Sequence, residues 1–158
     1  MTSVIELPQQ RYEAIRPHHI RALIDIEQEA YPDPWTYGMF HQETESHVSQ
    51  FFVMYDGGVI QGYGGFWLVL DEAHITKVTI ARHLRGQGLG RQFMEFLIAW
   101  ARLLGATTVR LEVRESNTVA RTLYEDLGFE VLGIRERYYA SSGENAVVMM
   151  KTLEEPGF

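Results

Sequence analysis

A glycine-rich turn stands near the middle of this 158-residue chain, in the sequence Arg85-Gly86-Gln87-Gly88-Leu89-Gly90-Arg91. The β-branched run 73–80 before it predicts a strand, and the apolar spacing of residues 89–104 after it predicts a helix. Such a turn presents free backbone N–H groups at a helix N-terminus, which is a typical phosphate site, and the flanking arginines add positive charge. The alternative is a plain turn without a ligand, because short glycine patterns identify a site only weakly.

Downstream of the turn, Glu112 is the first residue that could move a proton. It lies in the run 107–114, where apolar and charged residues alternate, so a strand would place it on the polar face with Arg110 and Arg114. These arginines would lower the pKa of the carboxyl group and weaken it as a base. The local pattern alone therefore favours a salt bridge over a catalytic base.

Tyr124 and Asn117 belong to a short helix that follows this strand. Tyr124 lies on the apolar face of the predicted helix, where a core aromatic with a tethered hydroxyl is as good an explanation as chemistry. Asn117 is typical of a residue that caps the start of such a helix.

The elements that must position these residues follow from the periodicity of the remaining chain. We expect strands at 11–16, 50–55, 59–70, 73–80, 107–114, 129–139 and 146–153, and helices at 18–30, 36–46, 89–104 and 117–127. The order βααβββαβαββ predicts an α/β (α+β) fold, with a mixed central sheet flanked by helices. No linker or repeat interrupts the chain, so we expect one domain over residues 1–158, with its core at about 11–152.

Composition and charge exclude several functions. With 14 basic and 21 acidic residues the net charge is −7, which disfavours direct nucleic-acid binding and favours a cationic acceptor such as an amine or a basic peptide. The absence of cysteine excludes disulfides, cysteine nucleophiles and thiolate metal sites. None of the six histidines lies in a metal-ligand pattern, so we expect no metal.

The chain also lacks the signals of a membrane or secreted protein. No apolar run approaches the length that crosses a bilayer, and the first ten residues lack the basic start and apolar core of a signal peptide. We therefore expect a cytoplasmic protein with no membrane partner, working as a monomer or weak dimer.

Three blocks of sequence resemble a known superfamily. Arg85-x-x-Gly88-x-Gly90 resembles the acetyl-coenzyme A pyrophosphate motif of the GNAT N-acetyltransferases, and Leu111-Glu112-Val113-Arg114-x-Ser116-Asn117-x-x-Ala120-x-x-Leu123-Tyr124-x-x-x-Gly128-Phe129 resembles the second half of that fold. Within it, Ile26-Glu27 with Tyr31-x-x-Pro34-Trp35, and Arg137-Tyr138-Tyr139 leading into 144–149, resemble the acceptor loop and final hairpin of the ribosomal-protein alanine N-acetyltransferases (RimI type). The resemblance spans about residues 11–152.

The resemblance implies a GNAT fold and acetyl transfer from acetyl-coenzyme A to the N-terminal α-amine of a protein, with alanine of a small-subunit ribosomal protein as the leading target. It assigns Glu112 as the general base, and Tyr124 as the acid that protonates the departing thiolate. Because a base that works through ordered water tolerates a low pKa better than one that takes the proton directly, we expect Glu112 to act through water. An α-amine needs only modest help, because its pKa is about 7.7–8.0 whereas that of lysine is near 10.4.

The resemblance also implies which residues bind the two substrates. For acetyl-coenzyme A these are Val78, Thr79, Ile80, Arg85, Gly86, Gln87, Gly88, Leu89, Gly90, Arg91 and Asn117. For the acceptor they are Glu27, Tyr31, Pro34, Trp35, Tyr138 and Tyr139. From the residues alone, Trp35 can equally be core and Glu27 an exposed helix glutamate. Because neighbouring strand residues point to opposite faces, we expect one of the two adjacent tyrosines to face the peptide.

Two other functions stay open. The same fold could acetylate a lysine side chain, a polyamine or another small amine, or the chain could bind acyl-coenzyme A without catalysis. A pure binder has no need of both Glu112 and Tyr124. The chain departs from the family pattern at Asn145, where many relatives have Asp, which bears on peptide specificity. It also has Ala81-Arg82-His83 in place of Val-x-Pro, which we expect to change only a loop.

Overall fold

The structure, a computed structural model, describes residues 11–154 and contains seven strands and four α-helices in that range. They are β1 (Arg11–Ala14), α1 (Ile20–Ala30), α2 (Tyr37–Glu45), β2 (Ser49–Asp56), β3 (Val59–Val69), β4 (Glu72–Ile80), α3 (Leu89–Leu103), β5 (Thr108–Arg114), α4 (Thr118–Asp126), β6 (Glu130–Tyr139) and β7 (Glu144–Thr152). The predicted element order is confirmed. The ends of the predicted domain, residues 1–10 and 155–158, lie outside the described residues.

All seven strands form one sheet in the order β1-β2-β3-β4-β5-β7-β6. Neighbouring strands are antiparallel except for β4 and β5, which are parallel. A parallel pair needs a crossover connection, and α3 supplies it. The sheet is therefore mixed, as the sequence predicts.

The β4–β5 pairing is short. It joins only Glu72–His74 to Thr108–Arg110, although both strands continue further. Beyond these residues β4 pairs with β3 alone and β5 pairs with β7 alone. The sheet therefore opens between β4 and β5, on the side that leads to the glycine turn.

A β-bulge at Thr76 changes the direction of the side chains along β4. Ile75 pairs with Phe66 and Lys77 pairs with Gly65, so Thr76 is an extra residue in the ladder. The core face of β4 therefore holds Ile75 and then Val78. Lys77 is turned to the opposite face, which α1 covers.

Two hydrophobic clusters hold the helices on the two faces of the sheet. One packs α3 and α4 against the sheet, with Phe93 and Leu97 of α3 completely buried. The other packs α1 and α2 on the opposite face, around the buried Phe40 and Tyr63. No helix within residues 11–154 is long and apolar enough to cross a membrane.

Candidate active site

Two cavities meet at the opening between β4 and β5. The glycine-turn cavity, of about 640 Å³, is bounded by the end of β4, the turn 85–91 and α4. The aromatic cavity, of about 700 Å³, is bounded by the α1–α2 loop, β4, β5 and the β6–β7 hairpin. The two share the lining residues Tyr31, Val78, Arg114, Asn117 and Tyr124. They are therefore the two ends of one cleft.

The glycine-turn cavity gathers nearly all the residues predicted to bind acetyl-coenzyme A. Its lining includes Val78, Thr79, Ile80, Arg85, Gly86, Gly88, Leu89, Gly90, Arg91 and Asn117. The exception is Gln87, which is exposed and does not line the cavity. Asn117 is also the predicted cap of α4, since its Oδ1 accepts a hydrogen bond from Ala120 N at 3.1 Å.

The backbone of the turn has the shape of an anion cradle. Gly86 and Gly88 both have φ of +82°, and no other residue lies within 4 Å of the position that a Cβ would take at either one. Gly88 is the N-cap of α3, whose first N–H groups have no intrahelical acceptor. Arg85 Nε donates to Ile80 O at 3.2 Å, which ties the turn to the end of β4.

Glu112 is held by His74 and not by its neighbouring arginines. Its Oε2 lies 2.5 Å from His74 Nε2, and its side chain is 6% exposed. Arg110 instead pairs with Glu72 at 3.4 Å, and Arg114 pairs with Glu144 at 3.6 Å. The prediction of a salt bridge between Glu112 and its neighbours Arg110 and Arg114 is therefore wrong. The other oxygen, Oε1, is buried and has no hydrogen-bond partner within residues 11–154.

The environment of Glu112 keeps it ionised. Burial opposes ionisation, but the hydrogen bond and charge of His74, together with Arg110 and Arg135, hold the pKa of Glu112 below its usual value. A carboxylate of low pKa is a weak direct base at neutral pH. Because it is ionised at neutral pH, however, it can accept a proton through ordered water.

Tyr124 is part of the core and also lines the cleft. It packs against the core beside Phe129, with ring centroids 5.9 Å apart, and it also lines both cavities. Burial, with a contribution from Tyr31, raises the pKa of Tyr124 to about 12. The hydroxyl group is therefore protonated at neutral pH and can donate.

Four of the six predicted acceptor residues line the aromatic cavity: Tyr31, Trp35, Tyr138 and Tyr139. Trp35 is also part of the core, because its ring packs edge-on against Phe40 at 5.2 Å. Pro34 is exposed and does not line the cavity.

Tyr138 and Tyr139 both face the aromatic cavity, so the expectation that only one would do so is wrong. The strand is irregular between Arg135 and Tyr139, and Arg137 has φ of +52°. Arg137 N donates to Asn145 Oδ1 at 3.0 Å, which holds this distortion in place. The two tyrosine rings consequently lie edge to face, 5.0 Å apart.

Glu27 does not lie where the sequence placed it. Its side chain is completely buried and lines neither cavity. The two interpretations of Glu27, as an acceptor-binding residue and as an exposed helix residue, are therefore both wrong. Glu27 Oε2 accepts from Trp35 N at 2.8 Å and Lys77 Nζ at 2.6 Å, and Oε1 accepts from Tyr63 OH at 2.7 Å. Through these buried hydrogen bonds the carboxylate links the α1–α2 loop to β3 and β4.

His74 and Lys77 are two residues at the site that were not predicted from the sequence. His74 holds Glu112, and Lys77 lines the aromatic cavity in front of Glu27. A signal was present, because the apolar positions of β4 run 73, 75, 78 and 80 and so change phase by one residue. That change marks the bulge that turns Lys77 away from the core.

Residues 11–154 contain no group of three or more His, Asp or Glu that could hold a metal ion.

Comparison with known proteins identifies the family. The family model described as Acetyltransferase (GNAT) family matches residues 20–129. The [ribosomal protein bS18]-alanine N-acetyltransferase of Haemophilus influenzae is 37% identical over 131 residues, covering 80% of this chain and 88% of the relative. The Escherichia coli protein of the same name is 35% identical over 131 residues, covering 81% and 87%.

The fold agrees with a solved structure as well. A crystal structure of the Escherichia coli ribosomal-protein alanine N-acetyltransferase superposes with a TM-score of 0.86 at 30% identity, covering 94% of this chain and 97% of that one. The chain therefore belongs to the GNAT family of acetyltransferases, and the resemblance that the sequence motifs indicated is confirmed.

Proposed function

We propose that this protein transfers the acetyl group of acetyl-coenzyme A to the N-terminal alanine of ribosomal protein bS18, in the cytoplasm where that protein is made. The relatives at 35% and 37% identity are named for this activity. The observation that carries the proposal is that Glu112 and Tyr124 both line the aromatic cavity, and that Tyr124 also lines the glycine-turn cavity.

The glycine-turn cavity fits acetyl-coenzyme A. Free N–H groups at the start of α3, the two left-handed glycines and Arg85 suit a pyrophosphate. The edge of β4 at Val78–Ile80 pairs with β3 but not with β5, so it can take an extended pantetheine arm in the manner of an added strand. Acetyl-coenzyme A supplies an acetyl group already activated as a thioester.

Glu112 serves as the base that takes the proton of the acceptor amine. The hydrogen bond to His74 orients the carboxylate, which accepts the proton through an ordered water. The low pKa of Glu112 suits this relay because an α-amine is already partly neutral near pH 7 and needs only a sink for its proton.

Tyr124 serves as the acid that delivers a proton to the departing thiolate. It lines both cavities, which supports this role at the junction of the two substrates. Its raised pKa keeps the proton on the hydroxyl until the sulfur develops negative charge. Burial of the ring among apolar side chains fixes the position of the hydroxyl.

The aromatic cavity receives the N-terminal segment of the acceptor protein. Tyr31, Trp35, Tyr138 and Tyr139 give it rigid walls that can hold an extended peptide with little loss of side-chain entropy. This cavity is the end of the cleft opposite the glycine turn, so the acceptor enters from the side away from the coenzyme pyrophosphate.

Peptides with different N-termini test this proposal. Purified enzyme is incubated with acetyl-coenzyme A and the N-terminal peptide of bS18, with the same peptide beginning in Ser or Met, and with an N-terminally blocked peptide that carries a free lysine. We expect acetylation at the α-amine of the alanine peptide, located by fragmentation mass spectrometry. Modification of the blocked peptide alone, or of spermidine alone in a parallel reaction, would assign the enzyme to side-chain or small amines instead.

A further inference from the structure

The ammonium group of Lys77 lies in a site built for a cation. Its Nζ lies 4.1 Å from the centroid of the Tyr31 ring, 4.5 Å from that of Trp35, and 2.6 Å from Glu27 Oε2. Two aromatic faces with a carboxylate are the combination that recognises ammonium groups of ligands. The side chain of Lys77 is 9% exposed, and that exposed part lines the aromatic cavity.

The carboxylate of this site does not depend on Lys77 for its position. Trp35 N and Tyr63 OH also donate to Glu27, one to each oxygen. The aromatic walls are fixed independently too, because the Tyr31 hydroxyl is hydrogen-bonded to Thr79 Oγ1 at 2.7 Å and Trp35 packs on Phe40. The site would therefore keep its shape if the ammonium group were removed.

Lys77 reaches this site only because β4 is bulged. In a regular strand it would share the face of Ile75, which packs into the core beneath α3. The extra residue at Thr76 turns Lys77 toward α1. Gly64 on β3 accommodates the distortion, since a Cβ there would collide with the backbone of Lys77 and Val78.

We propose that Tyr31, Trp35 and Glu27 form an ammonium-binding cage that the chain fills with its own Lys77, and that Lys77 thereby determines which acceptors the aromatic cavity admits. With Lys77 in place, a second cation entering the cavity finds the cage occupied. Without it, the cage takes an ammonium group from solution or from the acceptor. The effect on acceptors rests on the proposed function, whereas the binding of a free ammonium does not.

Chemical rescue of Lys77→Ala tests the cage directly. Propylammonium has the atoms that this substitution removes beyond Cβ, so it should occupy the cage and stabilise the folded protein in proportion to its concentration. We expect millimolar propylammonium to raise the Tm of Lys77→Ala, and sodium chloride at equal ionic strength to have no such effect. Wild-type protein, whose cage is filled, should not respond.

The double variant Glu27→Gln with Lys77→Ala is the matched control. It keeps the aromatic walls and a hydrogen-bonding side chain but has no negative charge, so propylammonium should not raise its Tm. An equal rise in the double variant or in the wild type would overturn the proposal.

If Lys77→Ala is insoluble when expressed, it is refolded from urea with and without propylammonium. Recovery only with the amine supports the cage, and failure in both conditions overturns it.

Acceptor selection is measured separately. Two peptides that differ only at the second residue, Ala-Lys and Ala-Gln, are compared by their kcat/KM ratio. Opening the cage should raise the Ala-Lys to Ala-Gln ratio about tenfold in Lys77→Ala, and Lys77→Arg should retain the wild-type ratio. An unchanged ratio together with rescue by propylammonium would leave the cage in place and remove its role in acceptor choice.

Discussion

His74 Nε2 lies 2.5 Å from Glu112 Oε2, and this hydrogen bond bridges β4 and β5 at the place where their backbone pairing ends. His74 and Arg110 are the last residues that the parallel ladder joins, and Glu112 is the next residue of β5 on the same face. The bond therefore does two things. It joins β4 to β5 at the end of their ladder, and it orients a carboxylate that lines the aromatic cavity.

Replacement of His74 should change the pH profile of the reaction. In His74→Ala the hydrogen bond that lowers the pKa of Glu112 is lost while the burial that raises it remains, so the pKa should rise. Below the new pKa both the amine and Glu112 are protonated. The plot of log kcat/KM against pH should then fall more steeply on its acid side than in the wild type. His74→Gln retains a hydrogen-bond donor and should follow the wild-type curve. Superimposable curves for His74→Ala and wild type would show that His74 does not tune Glu112.

Glu112→Gln should impair turnover without impairing binding of acetyl-coenzyme A. The amide has nearly the same size but cannot accept a proton, so kcat should fall by about 10²–10⁴-fold, the usual contribution of a general base. Because Glu112 does not line the glycine-turn cavity, the Kd of acetyl-coenzyme A measured by calorimetry should not change. Glu72→Gln, at the start of β4 and outside both cavities, is the control and should retain full turnover.

Tyr124→Phe should lower kcat by about 10²-fold, because only the proton donor is removed. The phenyl ring keeps its packing, so the Tm should change little. The raised pKa of Tyr124, about 12, further predicts that wild-type kcat shows no alkaline decline near neutrality or in mildly basic buffer. Tyr12→Phe removes a hydroxyl whose pKa is also raised to about 12 but which lies outside the cleft, and it should be fully active. Full activity of Tyr124→Phe would assign the proton to another group.

Most of the scaffold could be predicted because its signals are local. The alternation of Val109, Leu111 and Val113 is that of a half-buried strand, and these three residues are buried in the structure. Thr36 and Asn117 cap their helices through side-chain oxygens, as their positions suggest. Each of these features depends on residues within a few positions of one another.

The parts of the site that were missed depend on contacts between distant residues. Glu27 and Lys77 are 50 positions apart, and their pairing requires the bulge at Thr76. In a regular strand the alternation of side chains would place Lys77 on the core face, away from Glu27. The orientation of Tyr138 and Tyr139 was misjudged for the same reason, because Asn145 of the next strand stabilises a backbone distortion at Arg137.

Gly88→Ala should weaken acetyl-coenzyme A binding more than it weakens the fold. Alanine at φ of +82° is strained by about 1–2 kcal/mol, but no atom lies within 4 Å to clash with the new Cβ. Gly57→Ala is the matched control, because it also has positive φ and open space but lies in the β2–β3 turn outside the cleft. Both variants should lose similar Tm, and only Gly88→Ala should raise the Kd of acetyl-coenzyme A. An equal Kd in the two variants would show that the turn does not contact the coenzyme.

Asn145→Ala should affect the acceptor and not the coenzyme. Loss of the hydrogen bond from Arg137 N costs about 0.5–1.5 kcal/mol and releases the distortion that brings Tyr138 and Tyr139 into the aromatic cavity together. The KM of the acceptor peptide should therefore rise about two- to tenfold while the KM of acetyl-coenzyme A stays the same. Asn145→Asp has a carboxylate that can still accept from Arg137 N, so its acceptor KM should remain near that of the wild type. If Asn145→Asp raises the acceptor KM as much as Asn145→Ala does, the amide itself contacts the peptide, and its support of the hairpin is not what sets the acceptor KM.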